Sequence, residues 1–353
     1  MKKIDWISNT RVFATLGIIL LHIAAIVVLT EPISTTNWWI SNVFDSMVRC
    51  STALFFMITG ALFLSKDIEI LPFLKKRFLR IVIPFLFWSF MYVVNDTIFD
   101  SIRNDSNFFI NIWNSNYWGN LFHNNIALHF WYVLSVLGLY LFIPVLNRWI
   151  RNSTVKEILY FISIWFITLV INYSFFKERI SNDLKPVYFS GYVGYLVLGY
   201  FLYKFDLREL LGKRFAKLDN KYFYFSIFLL AWLITIFGTY FISLKRGGFS
   251  VVYYDRLSIN VMFAAVGIFL FMKTWKPQNK IFVTTINFIF KYCFGIYLVH
   301  ILVLSYLSKY GMTGYFIHPA IGIPITTITC FGISLFLVFL VNKLPFIGKY
   351  ISG

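Results

Sequence analysis

Apolar runs close to 20 residues long recur along this chain from one end to the other, and they constrain it more than any motif does. About 20 apolar residues in a helix match the roughly 30 Å hydrocarbon thickness of a bilayer, where a backbone has to satisfy its own polar groups. The pattern predicts an all-α polytopic membrane protein. About ten transmembrane helices can be placed, near 11–30, 43–64, 80–99, 129–148, 155–173, 187–203, 222–243, 256–273, 285–307 and 320–342. No linker, repeat or compositional shift divides them, so the expectation is a single transmembrane domain over 1–353. Charge agrees: 13% of the residues are charged, against about 25% in an ordinary soluble domain.

A net charge of +17 raises nucleic acid as a partner, but the placement of the charges argues for a bilayer instead. The basic residues cluster in short segments between spans, at Lys66 to Arg80, Arg148 to Lys156, Lys204 to Lys221 and Lys273 to Lys280. The positive-inside rule then puts these segments and both termini in the cytoplasm. No basic helix or aromatic–basic motif points to nucleic acid. Cys50, Cys293 and Cys330 fall within or beside apolar runs and read as small apolar fillers, so neither a disulfide nor a metal site is expected. The opening Met1-Lys-Lys resembles a signal peptide. The apolar run that follows holds His22 and lacks a small-residue cleavage site, so a retained first helix is expected.

Polar residues inside the spans are the candidates for chemistry, because an ionisable side chain at membrane depth is costly. Arg11 and His22 are eleven positions apart in the first run. In a helix that is three turns, so both project from one face about 16 Å apart along the axis. Arg11 then sits near one membrane surface and His22 near the midplane. The plainer reading of His22 is a buried imidazole bonded to a neighbouring helix; the in-phase Arg11 favours function. Arg49 lies some two turns inside the second span, with Asp45 one turn away as a partner. Arg77 and Arg80 share a helical face at i and i+3, and two guanidinium forks on one face can grip a phosphate. Ordinary positive-inside charge explains Lys75 and Lys76 beside them.

His129-Phe-Trp-Tyr132 opens the fourth span at its outer end, and Tyr292-Cys-Phe-Gly-Ile-Tyr-Leu-Val-His300 occupies the ninth. The ninth span runs outward, so His300 lies past the midplane toward the outer side. The longest loop, about 100–128, is external and rich in Asn, Ser, Trp and Tyr, which suits sugar rings as well as a membrane-interface belt. Thr59-Gly60 in the second span lets another backbone approach closely. No histidine pair has metal-ligand spacing, so no metal is expected. G-x-S-x-G, P-loop and Rossmann signatures are lacking.

Taken together these residues resemble the acyltransferase 3 family of integral membrane acyltransferases over nearly the whole chain. The matches are Arg11 with His22, Phe55-Phe-Met-Ile-Thr-Gly60, Arg77-x-x-Arg80, His129-Phe-Trp131, Gly199-Tyr-Phe-Leu-Tyr203 and Gly295-Ile-Tyr-Leu-Val-His300. Thr59 stands where the family often has Ser, and the hydroxyl is kept. Lys3-Ile-Asp-Trp-Ile-Ser-Asn-Thr-Arg11 and the stretch from Arg49 to Leu64 look most like the branch containing the enterobacterial common antigen O-acetyltransferase. A fused soluble esterase-like domain, which some members of the family carry, is not expected.

The resemblance implies O-acetylation at the bacterial inner membrane. Acetyl would pass from cytoplasmic acetyl-CoA, a co-substrate and no resident cofactor, to a hydroxyl of a cell-envelope polysaccharide or lipid-linked glycan. His22 would be the general base, with a covalent acyl-imidazole relay left open; Arg11 would bind the donor or support the reacting group, Arg77 with Arg80 would hold the donor phosphates, and His300, His129, Trp131, Arg49 and Tyr297 would be acceptor-side or supporting residues. Homo-oligomerisation stays open. The competing readings are a glycan or lipid-linked sugar transporter (flippase) and a structural subunit of an envelope synthase.

Overall fold

The computed structural model describes residues 5–113, 115–122, 126–171, 191–206 and 220–353. Lys2, Lys3, His123, Lys177, Arg179, Lys185, Arg208, Lys213, Arg214 and Lys217 lie outside the described residues. Among the described residues the protein is helical throughout, with no strand.

The helices are α1 (Asp5–Thr30), α2 (Thr36–Val48), α3 (Ser51–Phe63), α4 (Ile70–Arg103), α5 (Phe108–Trp113), α6 (Tyr117–Phe122), α7 (Trp131–Asn152) and α8 (Val155–Ile171). They continue as α9 (Val193–Lys204), α10 (Lys221–Arg246), α11 (Ile259–Thr274), α12 (Lys280–Phe290), α13 (Cys293–Lys309), α14 (Pro319–Asn342) and α15 (Gly348–Ile351). Seven described spans are long and apolar enough to cross a membrane, and eight if α12 and α13 count as one broken span. The expected ten is not reached. α8 has 17 residues and α9 has 12; of the rest of those two expected spans, 172–173 and 187–190 lie outside the described residues, and Gly191 and Tyr192 precede α9 without being helical. Two spans read as continuous are interrupted. The second begins at Thr36 and breaks at Arg49 and Cys50, and the ninth breaks at Lys291 and Tyr292.

Local chemistry explains several helix ends. Thr35 caps α2 by accepting from the Trp38 N–H at 3.2 Å. Thr154 and Glu157 form a reciprocal box at the start of α8, with the Thr154 N–H donating to the carboxylate at 2.6 Å. Asn220 accepts from the Tyr222 and Phe223 N–H groups at the start of α10. Gly247 ends that helix at φ 67°, a left-handed conformation that glycine adopts without a Cβ penalty.

The chain divides into two compact units. The first holds 1–68, 143–290 and 312–328. In it α1 packs on α2, α3, α11 and α12, while α3 packs on α9 and α10 on α11. Two glycines make the α3–α9 contact possible. A Cβ on Gly60 would overlap the Leu196 carbonyl, and one on Gly199 would overlap the backbone of Met57. The close approach expected at Gly60 is therefore present. Trp38, Phe56, Ile19 and Leu54 are among the fully buried side chains of this unit.

The second unit holds 69–142, 291–311 and 329–353. Here α4 packs on α5, α6, α13 and α15. The Trp88 indole donates to the Ile351 carbonyl at 3.1 Å, which ties the C-terminal turn to α4. A Cβ on Gly295 would meet the Ser352 carbonyl, so α13 too is approached by backbone.

Candidate functional site

Arg11 and His22 lie on the single unbroken helix α1, and both are half-buried. The helical path between them is as expected. The Arg11 guanidinium carbon lies 5.1 Å from the Phe290 ring centroid, so α12 covers it. Thr15 back-bonds to the Arg11 carbonyl at 2.8 Å. Gly17, midway between them, brings α1 against Val48 and Ser51 at the α2–α3 break. The cations whose field reaches His22 are Arg49 and Arg256.

Arg49 stands at that break. It forms an ion pair with Asp45, the partner its spacing predicts. Its guanidinium carbon also lies 3.8 Å from the Tyr254 ring centroid, a cation–π contact. The Tyr254 hydroxyl in turn donates to Asn42 Oδ1 at 2.6 Å, and Asn42 Nδ2 donates to the Ile236 carbonyl at 3.1 Å. Asp45 is fully buried and Arg49 largely so. Buried charges persist only when paired, which accounts for this network. Arg49 thus belongs to the unit that holds His22. His129 and His300, with which the sequence grouped it, belong to the other.

Arg77 and Arg80 fall in the second and third turns of α4, one turn apart as expected. Arg77 is half-buried, with its guanidinium carbon 6.0 Å from the Phe73 ring, whereas Arg80 is exposed. Lys75 and Lys76 are also exposed.

His129, Tyr297 and His300 form one buried cluster in the second unit. The Tyr297 hydroxyl donates to the His129 carbonyl. The His129 and His300 rings are in edge contact, and Tyr132 packs on Tyr297 at 5.2 Å between centroids. Trp131 lies at the start of α7, half-buried, with its ring against Tyr132. Sequence spacing gave no sign that the two histidines touch, because the pairing is tertiary.

Tyr92 was also missed. Its hydroxyl accepts from the Leu302 N–H at 2.9 Å and donates to the Leu298 carbonyl at 3.1 Å. Those two groups are i, i+4 partners of the same helix, so α4 inserts a phenol into the backbone ladder of α13. His129 Nε2 reaches the same Leu298 carbonyl at 3.3 Å. The only signal in the sequence was a tyrosine inside an apolar span.

The long loop folds back on α4. The Tyr117 hydroxyl lies 2.8 Å from Ser89 Oγ, and Asn111 Nδ2 donates to Ser101 Oγ at 2.9 Å. Burial pushes the Tyr117 phenol above its ordinary pKa, so it stays a neutral hydrogen-bonding group. Cys50, Cys293 and Cys330 are buried free thiols.

Residues 4–342 match the model of the acyltransferase 3 family, described as an acyltransferase domain. No curated protein and no solved structure matches the chain. The family match carries no branch within the family. With nearly the whole chain covered and helices able to span a bilayer, the protein belongs to the acyltransferase 3 family of membrane acyltransferases.

Proposed function

We propose that this protein is a membrane O-acetyltransferase. It takes acetyl from acetyl-CoA on the cytoplasmic side of a bacterial inner membrane and delivers it to a hydroxyl of an envelope glycan or lipid-linked glycan. What carries the reading is family membership together with Arg11 and His22 on one uninterrupted helix. The positive-inside bias supports a cytoplasmic N-terminus. Arg77 and Arg80, one turn apart on α4, suit the phosphates of CoA.

In this reading neutral His22 removes the proton of the acceptor hydroxyl as its oxygen attacks the thioester carbonyl. The C–S bond breaks as the C–O ester forms, and the imidazolium returns the proton to the CoA thiolate. Arg11 supports the reacting group or the donor.

The test uses purified protein in detergent with radiolabelled acetyl-CoA. Wild-type protein is expected to turn the thioester over, and His22→Ala to lose turnover while keeping its melting transition. Wild-type-like turnover by the variant removes His22 as base. A wild-type protein that neither binds nor consumes acetyl-CoA leaves the transporter reading.

A further inference from the structure

The second unit contains a cleft of about 380 Å³ between α4, the end of the long loop and α13. Its polar lining is Tyr92, Asn95, Asp96 and Ser305, and its apolar lining includes Ala127, Leu128 and Ile301. Buried Tyr92 and Ala127 form the floor, and exposed Asp96 and Leu128 form the rim. The polar groups are held in place. The Tyr306 hydroxyl donates to Asn95 Oδ1 at 2.6 Å, which turns the Asn95 Nδ2 toward Asp96 Oδ1 at 3.1 Å. One carboxylate oxygen of Asp96 is thereby oriented from α13 through Asn95.

The lining narrows the ligand. The described lining residues include a carboxylate and no cation, so the phosphates of an acyl-CoA do not suit the cleft. An acyl chain would leave Asp96 and Asn95 facing hydrocarbon, which is costly. Carboxylate, amide and hydroxyl groups beside small apolar side chains match a ring that presents hydroxyls on its edge and C–H bonds on its face. The volume falls within the range of small-molecule sites. The Tyr92 ring lines the cleft and also packs on His129, with centroids 5.8 Å apart, so the cleft floor adjoins the histidine cluster.

We propose that this cleft is a subsite for a sugar residue of the acceptor, with Asp96 accepting hydrogen bonds from its hydroxyls. The proposal rests on the acetyltransferase reading above and specifies where its acceptor is held.

Asp96→Asn and Ser305→Phe test it. Asp96→Asn keeps the shape and removes the charge, and Ser305→Phe fills the cleft. Cells producing wild-type or variant protein are compared for acetyl esters on their envelope glycans by mass spectrometry. Each protein is also purified, its melting transition recorded and its acetyl-CoA binding measured by calorimetry. The expected result is loss of glycan acetylation with Ser305→Phe and at least a tenfold fall with Asp96→Asn, both variants binding acetyl-CoA as the wild type does. Wild-type glycan acetylation in both variants overturns the subsite and leaves the acetyltransferase reading standing. Variants that melt normally but lose acetyl-CoA binding assign the cleft to the donor, which also overturns it. If wild-type protein neither binds acetyl-CoA nor raises glycan acetylation, the underlying reading fails and the subsite with it.

Discussion

His129 and His300 meet with ring centroids 4.9 Å apart and planes inclined by 71°. Each turns one nitrogen to a carbonyl: His129 Nε2 to Leu298 at 3.3 Å, and His300 Nδ1 to Tyr297 at 2.6 Å. A carbonyl only accepts, so a neutral imidazole carries its proton on the nitrogen that faces it. The second nitrogen of each ring is then the basic one.

The hydroxyl of Tyr297 holds the His129 backbone in this cluster. Tyr297→Phe removes that donor, while the Trp131 backbone N–H still reaches the same carbonyl. The expected loss is about 0.5–1.5 kcal/mol, read as a lower melting temperature in detergent. An unchanged transition would mean that packing alone holds the cluster.

Gly60→Ala and Gly199→Ala should each disrupt the α3–α9 contact, because the added methyl meets backbone that cannot rotate aside. Overpacking of this kind costs about 1–3 kcal/mol or more. Gly332→Ala is the control, since a Cβ there meets open space. The yield of monodisperse protein should fall for the first two variants and hold for the third.

Arg49→Ala strands Asp45 in a fully buried position. Breaking a buried ion pair from one side costs about 3–5 kcal/mol, whereas replacing both partners with apolar residues can be neutral. Arg49→Met combined with Asp45→Leu should therefore melt above either single variant. A double variant no more stable than Arg49→Ala would show that Tyr254, more than Asp45, is what Arg49 serves.

On the proposed donor side, Arg77→Ala and Arg80→Ala should raise the KM for acetyl-CoA. Loss of a charge-assisted hydrogen bond corresponds to roughly ten- to a hundredfold. Arg77→Lys should rescue only in part, because an ammonium lacks the planar fork. A KM unchanged in both alanine variants would leave these residues a role in membrane orientation alone.

Sidedness is open to measurement in sealed inside-out vesicles. Acetyl-CoA added to the exposed cytoplasmic face should label glycan confined to the lumen. Labelling restricted to glycan on the cytoplasmic face would place both substrates on one side.

The sequence by itself determined that this chain is a helical membrane protein, because apolar run length reports directly on the bilayer. It also determined the in-phase spacing of Arg11 with His22 and of Arg77 with Arg80, and the pairing of Asp45 with Arg49. Helical geometry alone specifies which residues a few turns apart share a face. Gly60 was legible for a related reason, since a glycine among bulky residues marks where another backbone comes close. Only the tertiary structure decided that Arg49 packs on Tyr254, that His129 touches His300 and that Tyr92 enters the backbone ladder of α13. It also decided where the second and ninth spans break, since hydropathy registers apolar length but not a local turn. Each of the three contacts joins residues far apart in the sequence. Their partners are chosen by how the helices pack, which no periodicity along a single chain encodes.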